Sequence, residues 1–275
     1  MSTLVAYPNI KPQLASEVEA GQVKRLLNDP EWVMQQKMDG KRIILHRQWG
    51  LSGAYIVAEN RSGKNVTGSL PIHFLNYLIN ECSGTWSADG ELVGDVFWCF
   101  DFLGCGGALC EEPFWFRHAA IHEDFRRIDA PLQVVAVLEE SEKKGAFTRI
   151  LKSGGEGVVF KRRESVYRGG RSKDWLKCKF VTSASVVVID RSASRRSVEV
   201  AIWENGHSLS VGRVTIPGTT RVPNPGEIIE VQYLYATAKG KLFQPVYLMQ
   251  RDDLSFADCG ATQLKFKQGA SPHTL

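Results

Sequence analysis

No apolar run in this sequence is long enough to span a membrane, and residues 1–20 carry no apolar stretch behind a basic start. A secretory leader and a membrane helix are therefore not expected, and the reading is of a soluble, cytoplasmic protein. The six cysteines (Cys82, Cys99, Cys105, Cys110, Cys178, Cys259) form no CxxC pair. Cys105 and Cys110 have no matching His or Cys pair nearby, so reduced thiols explain them better than a metal site. Internal repeats and low-complexity tracts are also missing. Charge is nearly balanced, 34 Lys plus Arg against 30 Asp plus Glu, too small an excess to imply a nucleic-acid partner by itself. What remains is 275 residues, 43% of them hydrophobic, enough for one sizeable core or two modest ones.

The apolar pattern predicts a helix over 17–28, closed by Pro30, then short strands at 33–36, 42–47 and 54–58. Residues 72–81 suit a helix, 85–87 and 92–102 strands, and 116–127 and 132–151 largely helix, with strand character at 134–137. Strands return at 157–162 and 175–180. After Thr182 the texture changes to five β-rich stretches, 185–191, 197–203, 208–216, 228–236 and 247–251, separated by Gly, Pro and Asn turns. An α+β domain over 1–182 and a small all-β barrel of the OB-fold kind over 183–275 are expected, with an incomplete sandwich as the other reading of the strand count.

Chemistry concentrates in the first domain. Lys37-Met38-Asp39-Gly40-Lys41-Arg42 lies between strands. A lysine attacks phosphorus only as the free amine, which an ordinary pKa of about 10.4 leaves scarce near pH 7. A nucleophilic role therefore requires burial or neighbouring cations; a solvated turn is the plainer reading of the motif alone. Asp89-Gly90-Glu91 precedes an apolar run ending Phe100-Asp101-Phe102, where a carboxylate suits a ribose hydroxyl and an aromatic suits a base. Glu156-Gly157-Val158-Val159-Phe160-Lys161 offers an acid leading a hydrophobic strand, a ligand type that Mg²⁺ accepts. Lys177 and Lys179 are two apart on a strand, so both ammonium groups point the same way, an arrangement suited to a phosphate. Between these lies the densest basic stretch, Arg162, Arg163, Arg168, Arg171 and Lys173, expected as a flexible loop touching nucleic-acid phosphates or simply solvated.

In this order, the pieces resemble the covalent nucleotidyltransferase superfamily: ATP-dependent DNA ligases, RNA ligases and mRNA capping enzymes. Lys37-x-Asp39-Gly40-x-Arg42 resembles the nucleophile motif, and the later segments resemble the motifs that follow it. Lys11-Pro12-Gln13-Leu14-Ala15, Asn60-Arg61-Ser62-Gly63 and the stretch from Pro245 to Asp253 are similar to ATP-dependent DNA ligases in particular. The resemblance runs from about residue 11 to residue 255. Two positions depart from it: Gln35 stands where the family often has Glu near the adenine. In the last motif, Arg251 and Asp253 match but Leu254 replaces the usual Lys.

The resemblance implies a nucleotidyltransferase (adenylation) domain and an OB-fold. ATP and Mg²⁺ (with Mn²⁺ as substitute) would be the cofactors and nicked duplex DNA the partner of a monomer. It implies that Lys37 carries AMP, passes it to a 5′-phosphate, and that a 3′-hydroxyl then displaces it. Lys177 and Lys179 would flank the α-phosphate and activate Lys37, with Lys161, Arg251 and Asp253 also serving the nucleotide. Glu156 and Glu91 would serve the metal, with Glu91 also at the ribose. Phe100 would stack on adenine beside Gln35, Arg42 and Arg61 would serve the nick termini, and Asp39 would help the 3′-hydroxyl. RNA-end joining, capping and a non-catalytic nucleic-acid-binding relic are the competing readings; retention of Lys37, Glu91, Glu156, Lys177 and Lys179 argues against the last. The segment from Trp203 to Val214 is too short for the latch insertion of some minimal viral ligases, so binding is expected to rely on charge and to weaken with salt.

Overall fold

Strands with two unlike faces organise the first part of the chain. The computed structural model describes residues 10–19, 21–127, 130–204 and 206–267. These form two compact units, one from residues up to Arg149 with Gly157–Cys178, the other from Ile150–Glu156 and the residues from Lys179 on. The chain runs through β1 (Gln13–Glu17), α1 (Gln22–Leu26), β2 (Trp32–Gln36), β3 (Lys41–Gly50), β4 (Gly53–Asn60) and α2 (Ile72–Asn80). It continues through β5 (Trp86–Val93), β6 (Val96–Gly104), α3 (Phe114–Ala119), β7 (Leu132–Val134), α4 (Glu142–Lys152), β8 (Gly157–Arg162) and β9 (Gly170–Lys179).

In the first unit, one sheet has the order β4-β3-β5-β6-β7 and the other β1-β9-β8-β2. Alternation sends Ile43, Leu45, Ala58, Ala88, Phe97 and Cys99 to one face of the larger sheet, where Phe74 and Leu78 of α2 cover them with Trp86 and Phe125. Each large side chain buried there contributes about 1.5–3 kcal/mol. The other face carries Arg42, Ile44, Asp89 and Leu103, with Ile44 and Leu103 packed against Tyr167 and Trp175.

Several expected boundaries move. Residues 17–28 are not one helix: Gln13–Glu17 pairs in parallel with β9, and α1 starts only after Gly21, whose φ of 83° is left-handed. The buried Lys143 ammonium then closes α1 by donating to the carbonyls of Leu26 (2.9 Å), Asp29 (2.6 Å) and Trp32 (2.6 Å). Residues 92–102 are not one strand either, because Gly94 (φ 59°) turns the chain from β5 into β6. The 132–151 segment opens as a strand on β6 and becomes helical only at Glu142. Residues 116–127 divide between α3 and a 3-10 turn over Glu123–Arg126.

The second unit comprises β10 (Thr182–Arg191), β11 (Ser197–Glu204), β12 (His207–Thr215), β13 (Ile228–Tyr233) and β14 (Val246–Gln250), closed into a barrel of order β10-β11-β12-β14-β13. Val186, Val188, Val198, Val200, Val214, Ile229 and Val231 fill its interior. Among the described residues, no helix is long and apolar enough to cross a membrane.

Candidate active site

Lys37 follows β2, which runs antiparallel to β8 with Gln35 opposite Val159 and Gln36 opposite Val158. A hydrogen bond from the Lys37 amide to the Gly157 carbonyl (2.9 Å) carries that pairing one residue past the strand. The turn that follows approaches β5 closely. A Cβ on Gly40 would lie 2.8 Å from the Leu92 carbonyl carbon and 2.9 Å from Val93 Cγ2, so glycine is required by space. Asn60 organises a second turn: its Oδ1 accepts from the Ser62 amide (3.0 Å), the Ser62 hydroxyl (2.8 Å) and the Lys64 amide (3.0 Å). Arg61 sits at the tip of that turn.

These elements bring Gln35, Lys37, Arg42, Arg61, Glu91, Phe100, Lys161 and Lys177 to the lining of one cleft, joined by Trp175, which sequence reasoning did not single out. Lys177 Nζ lies 3.0 Å from Glu17 Oε1. Such a partly exposed pair is worth about 1 kcal/mol or less. Gln35 is buried; its Nε2 donates to the Val135 carbonyl (2.9 Å), while Oε1 has no hydrogen-bond partner within the protein. The Trp175 indole N–H is buried and equally without one. An unmet buried polar atom costs about 1–3 kcal/mol, and both of these belong to residues lining the cleft.

Behind the cleft lies a charged network. Arg42 grips Asp89 with both Nε (2.9 Å) and Nη2 (2.5 Å), and Nη2 also donates to the Gln13 carbonyl (2.7 Å). Tyr167 donates to the same carboxylate (2.6 Å). Burial opposes the Arg42 charge, but the paired carboxylate outweighs it and the pKa rises. Arg42 thus braces the cleft wall, lying 5.2 Å from the Phe100 ring centroid. Asp101 likewise holds Arg117 through two bonds (2.7 and 2.8 Å). Breaking either buried pair by removing one partner costs about 3–5 kcal/mol.

The placement of Phe100 depends on a β-bulge. In the β5–β6 ladder Gly90 faces Cys99 and Asp89 faces Asp101, leaving Phe100 as the extra residue. Strict alternation would point Phe100 and Asp101 to opposite faces; the bulge allows both to serve the cleft side. Asp89, Asp101, Tyr167, Trp175 and Arg117 were missed as site residues. The first two were visible as acids in the motifs, but nothing in the sequence pairs Arg117 with Asp101.

Lys161 lines the cleft but is 1% exposed, with Nζ donating to the Phe100 carbonyl (2.6 Å). The expected flexible basic loop is also different. From Gly170 it is strand β9, parallel to β1. Arg162 lies 3.6 Å from Asp174 and over Trp32, and Arg163 pairs with Glu139 (2.9 Å). Arg168, Arg171 and Lys173 are exposed, Arg171 donating to the Ala15 carbonyl (2.8 Å).

In the second unit Lys179 donates to Gln244 Oε1 (3.3 Å), and the Glu156 carbonyl accepts from the Phe180 amide (2.9 Å). Arg251 holds Asp253 through two bonds of 2.8 Å and Glu230 through one of 3.3 Å. Its hydrogen bonds pull the Asp253 pKa down to about 2. Leu254 is partly buried and packs against Val187, Ile228 and Cys259.

Among the described residues no three His, Cys, Asp or Glu side chains form a metal cage. Glu91 is the acid in the cleft lining. A single carboxylate suits Mg²⁺, which keeps several waters and takes phosphate oxygens from its substrate.

Residues 91–179 match the family model described as ATP dependent DNA ligase domain. The multifunctional non-homologous end joining DNA repair protein LigD of Mycobacterium tuberculosis is 26% identical over 241 residues, 80% of this chain and 29% of the relative. LigD of Pseudomonas aeruginosa is 30% identical over 218 residues, 69% of this chain and 24% of the relative. The chain thus spans under a third of the length of these curated relatives. Among solved structures, the M. tuberculosis LigD ligase domain aligns with a TM-score of 0.54 at 23% identity, covering 91% of this chain and 98% of that one. A structure from a study of Lig E DNA ligases aligns with a TM-score of 0.64 at 18% identity, covering 88% and 99%.

Proposed function

We propose that this chain, which carries an ATP-dependent DNA ligase domain, seals nicks in duplex DNA through AMP bound covalently to Lys37. The observation that carries the reading is the cleft itself. One lining sets Lys37 and Lys177, Glu91, Phe100 and the unmet Gln35 acceptor beside one another, although they come from distant parts of the sequence.

In this reading residues 1–182 form the adenylation domain and the barrel over 183–275 is an OB-fold. Adenine stacks on Phe100 and its amine donates to Gln35 Oε1, while Glu91 accepts from the ribose. The Lys37 amine attacks the α-phosphorus of ATP: the N–P bond forms, the bond to pyrophosphate breaks, and the amine loses a proton. A 5′-phosphate oxygen at the nick then takes AMP from Lys37. Finally the 3′-hydroxyl, assisted by Asp39, attacks that phosphate and AMP departs. Each transfer builds charge on non-bridging oxygens, which prearranged cations stabilise; Lys177 and Lys179 serve the α-phosphate and Arg61 the nick. Glu91 would hold Mg²⁺, which as a Lewis acid would draw charge from the phosphate oxygens. Arg251, oriented by Asp253, serves the pyrophosphate. The protein acts as a monomer.

The test is a sealing assay on nicked duplexes whose strands are DNA, RNA or hybrid, with ATP or GTP. Sealing of the all-DNA nick with ATP is expected. Sealing confined to RNA strands assigns the chain to RNA-end joining, and use of GTP in place of ATP contradicts the adenine site.

A further inference from the structure

Lys161 is a buried cation of the cleft lining to which the three transfers assign no task. Its Nζ lies 3.9 Å from the ring centroid of Trp175, 4.5 Å from Phe114 and 4.9 Å from Phe100. The same nitrogen donates to the Phe100 backbone carbonyl (2.6 Å), and the nearest carboxylate oxygen, Asp101 Oδ2, is 3.8 Å away. Such an ammonium is attracted to the electron-rich ring faces, and desolvation makes each contact stronger than at a surface. Phe100 is therefore held at two points by one group, through its carbonyl and through its ring. It is also the bulged residue of its strand, for which the β5–β6 ladder supplies no opposite partner.

We infer that Lys161 is a positioning residue that fixes the Phe100 ring, and Trp175 beside it, as the platform for a purine base. The inference rests on the nucleotide reading of the cleft and adds what holds its base-binding surface in place. A group with this task acts on the base and ribose but leaves the phosphates alone. A phosphate-binding lysine does the reverse, and a lysine needed only for folding weakens both together.

Charge state gives a second handle. Burial, opposed by Asp101 and assisted by Arg117, pushes the Lys161 pKa down to about 7. Asp89 of β5, Arg42 of β3 and His118 of α3 also act on it electrostatically. As pH rises through 7 the ammonium becomes an amine and its attraction to the rings weakens.

The experiment compares binding of adenosine and of inorganic tripolyphosphate to the whole protein by calorimetry, without metal, for the wild type and Lys161→Met. Methionine keeps the length and loses the charge and donor. Adenosine affinity is expected to fall tenfold or more in the variant while tripolyphosphate affinity changes less than twofold. In the wild type, adenosine affinity is expected to fall between pH 6 and pH 8.5, which needs no variant and stands even if Lys161→Met fails to fold. Equal losses for both ligands, or adenosine affinity unchanged by both the substitution and the pH, would overturn the positioning role. A wild type that binds no adenosine at any pH refutes the nucleotide reading instead, so the two failures are distinguishable.

Discussion

At Gln35, half of a buried amide is satisfied by the protein and half has no hydrogen-bond partner within it. Its Nε2 is fixed by the Val135 carbonyl, which leaves Oε1 as the amide's unmet acceptor at the cleft wall. An acceptor there favours a base with an exocyclic amine and opposes one with a carbonyl at the same position. A site built around such a bond rejects the analogue that cannot make it. Gln35→Leu is therefore expected to raise KM for ATP about tenfold, the worth of a hydrogen bond of ~1.4 kcal/mol, and to narrow the preference for ATP over GTP. Steady-state kinetics of AMP transfer with both nucleotides checks this, and an unchanged ATP-to-GTP ratio would remove Gln35 from base selection. The resemblance marked Gln35 as a departure from Glu; the orphaned Oε1 gives that departure a chemical content.

At the scale of elements, β9 differs most from its sequence signature. Its apolar pattern supports a strand only from Trp175, because the preceding Arg, Gly, Ser and Lys residues look like a loop. Parallel pairing with β1 extends it back to Gly170, and a register shift after Ala15 leaves residues 173–175 outside the ladder. Long-range pairing of this kind leaves no local trace, and neither does the bulge at Phe100. The strands around Lys37, by contrast, were legible because alternation and turn glycines are local signals. So were the five barrel strands, found within a few residues of their expected positions. Most of the motif residues assigned to the nucleotide also met in the cleft, whereas the burial of Lys161 and the bracing of Arg42 depend on partners no single-sequence pattern reveals. Arg171 and Lys173, exposed on β9, remain suited to DNA phosphates. Replacing both with Gln is expected to weaken duplex binding and flatten its log–log salt slope by up to about 1.8, on the order of 0.9 per phosphate contact. Equilibrium binding at several salt concentrations measures this; a slope equal to that of the wild type would exclude these residues from the interface.

At the scale of the whole molecule, the proposed chemistry divides between the units. The cleft, with Lys37, belongs to the first; Arg251, Asp253 and Leu254 belong to the second. If Arg251 serves only the pyrophosphate, Arg251→Ala should slow loading of Lys37 by about tenfold or more yet seal a nick already carrying 5′-AMP at a near-normal rate. Equal loss in both assays would give Arg251 a role beyond loading. The central claim is that Lys37 carries AMP, and its most direct test is transfer of label from ATP bearing a radioactive α-phosphate, in the presence of Mg²⁺. The wild type is expected to become labelled, or to show by intact mass one AMP already in place, and Lys37→Ala to show neither. A wild type free of AMP that takes up no label across a range of pH and divalent metal, or a Lys37→Ala variant that labels as well as the wild type, would contradict it.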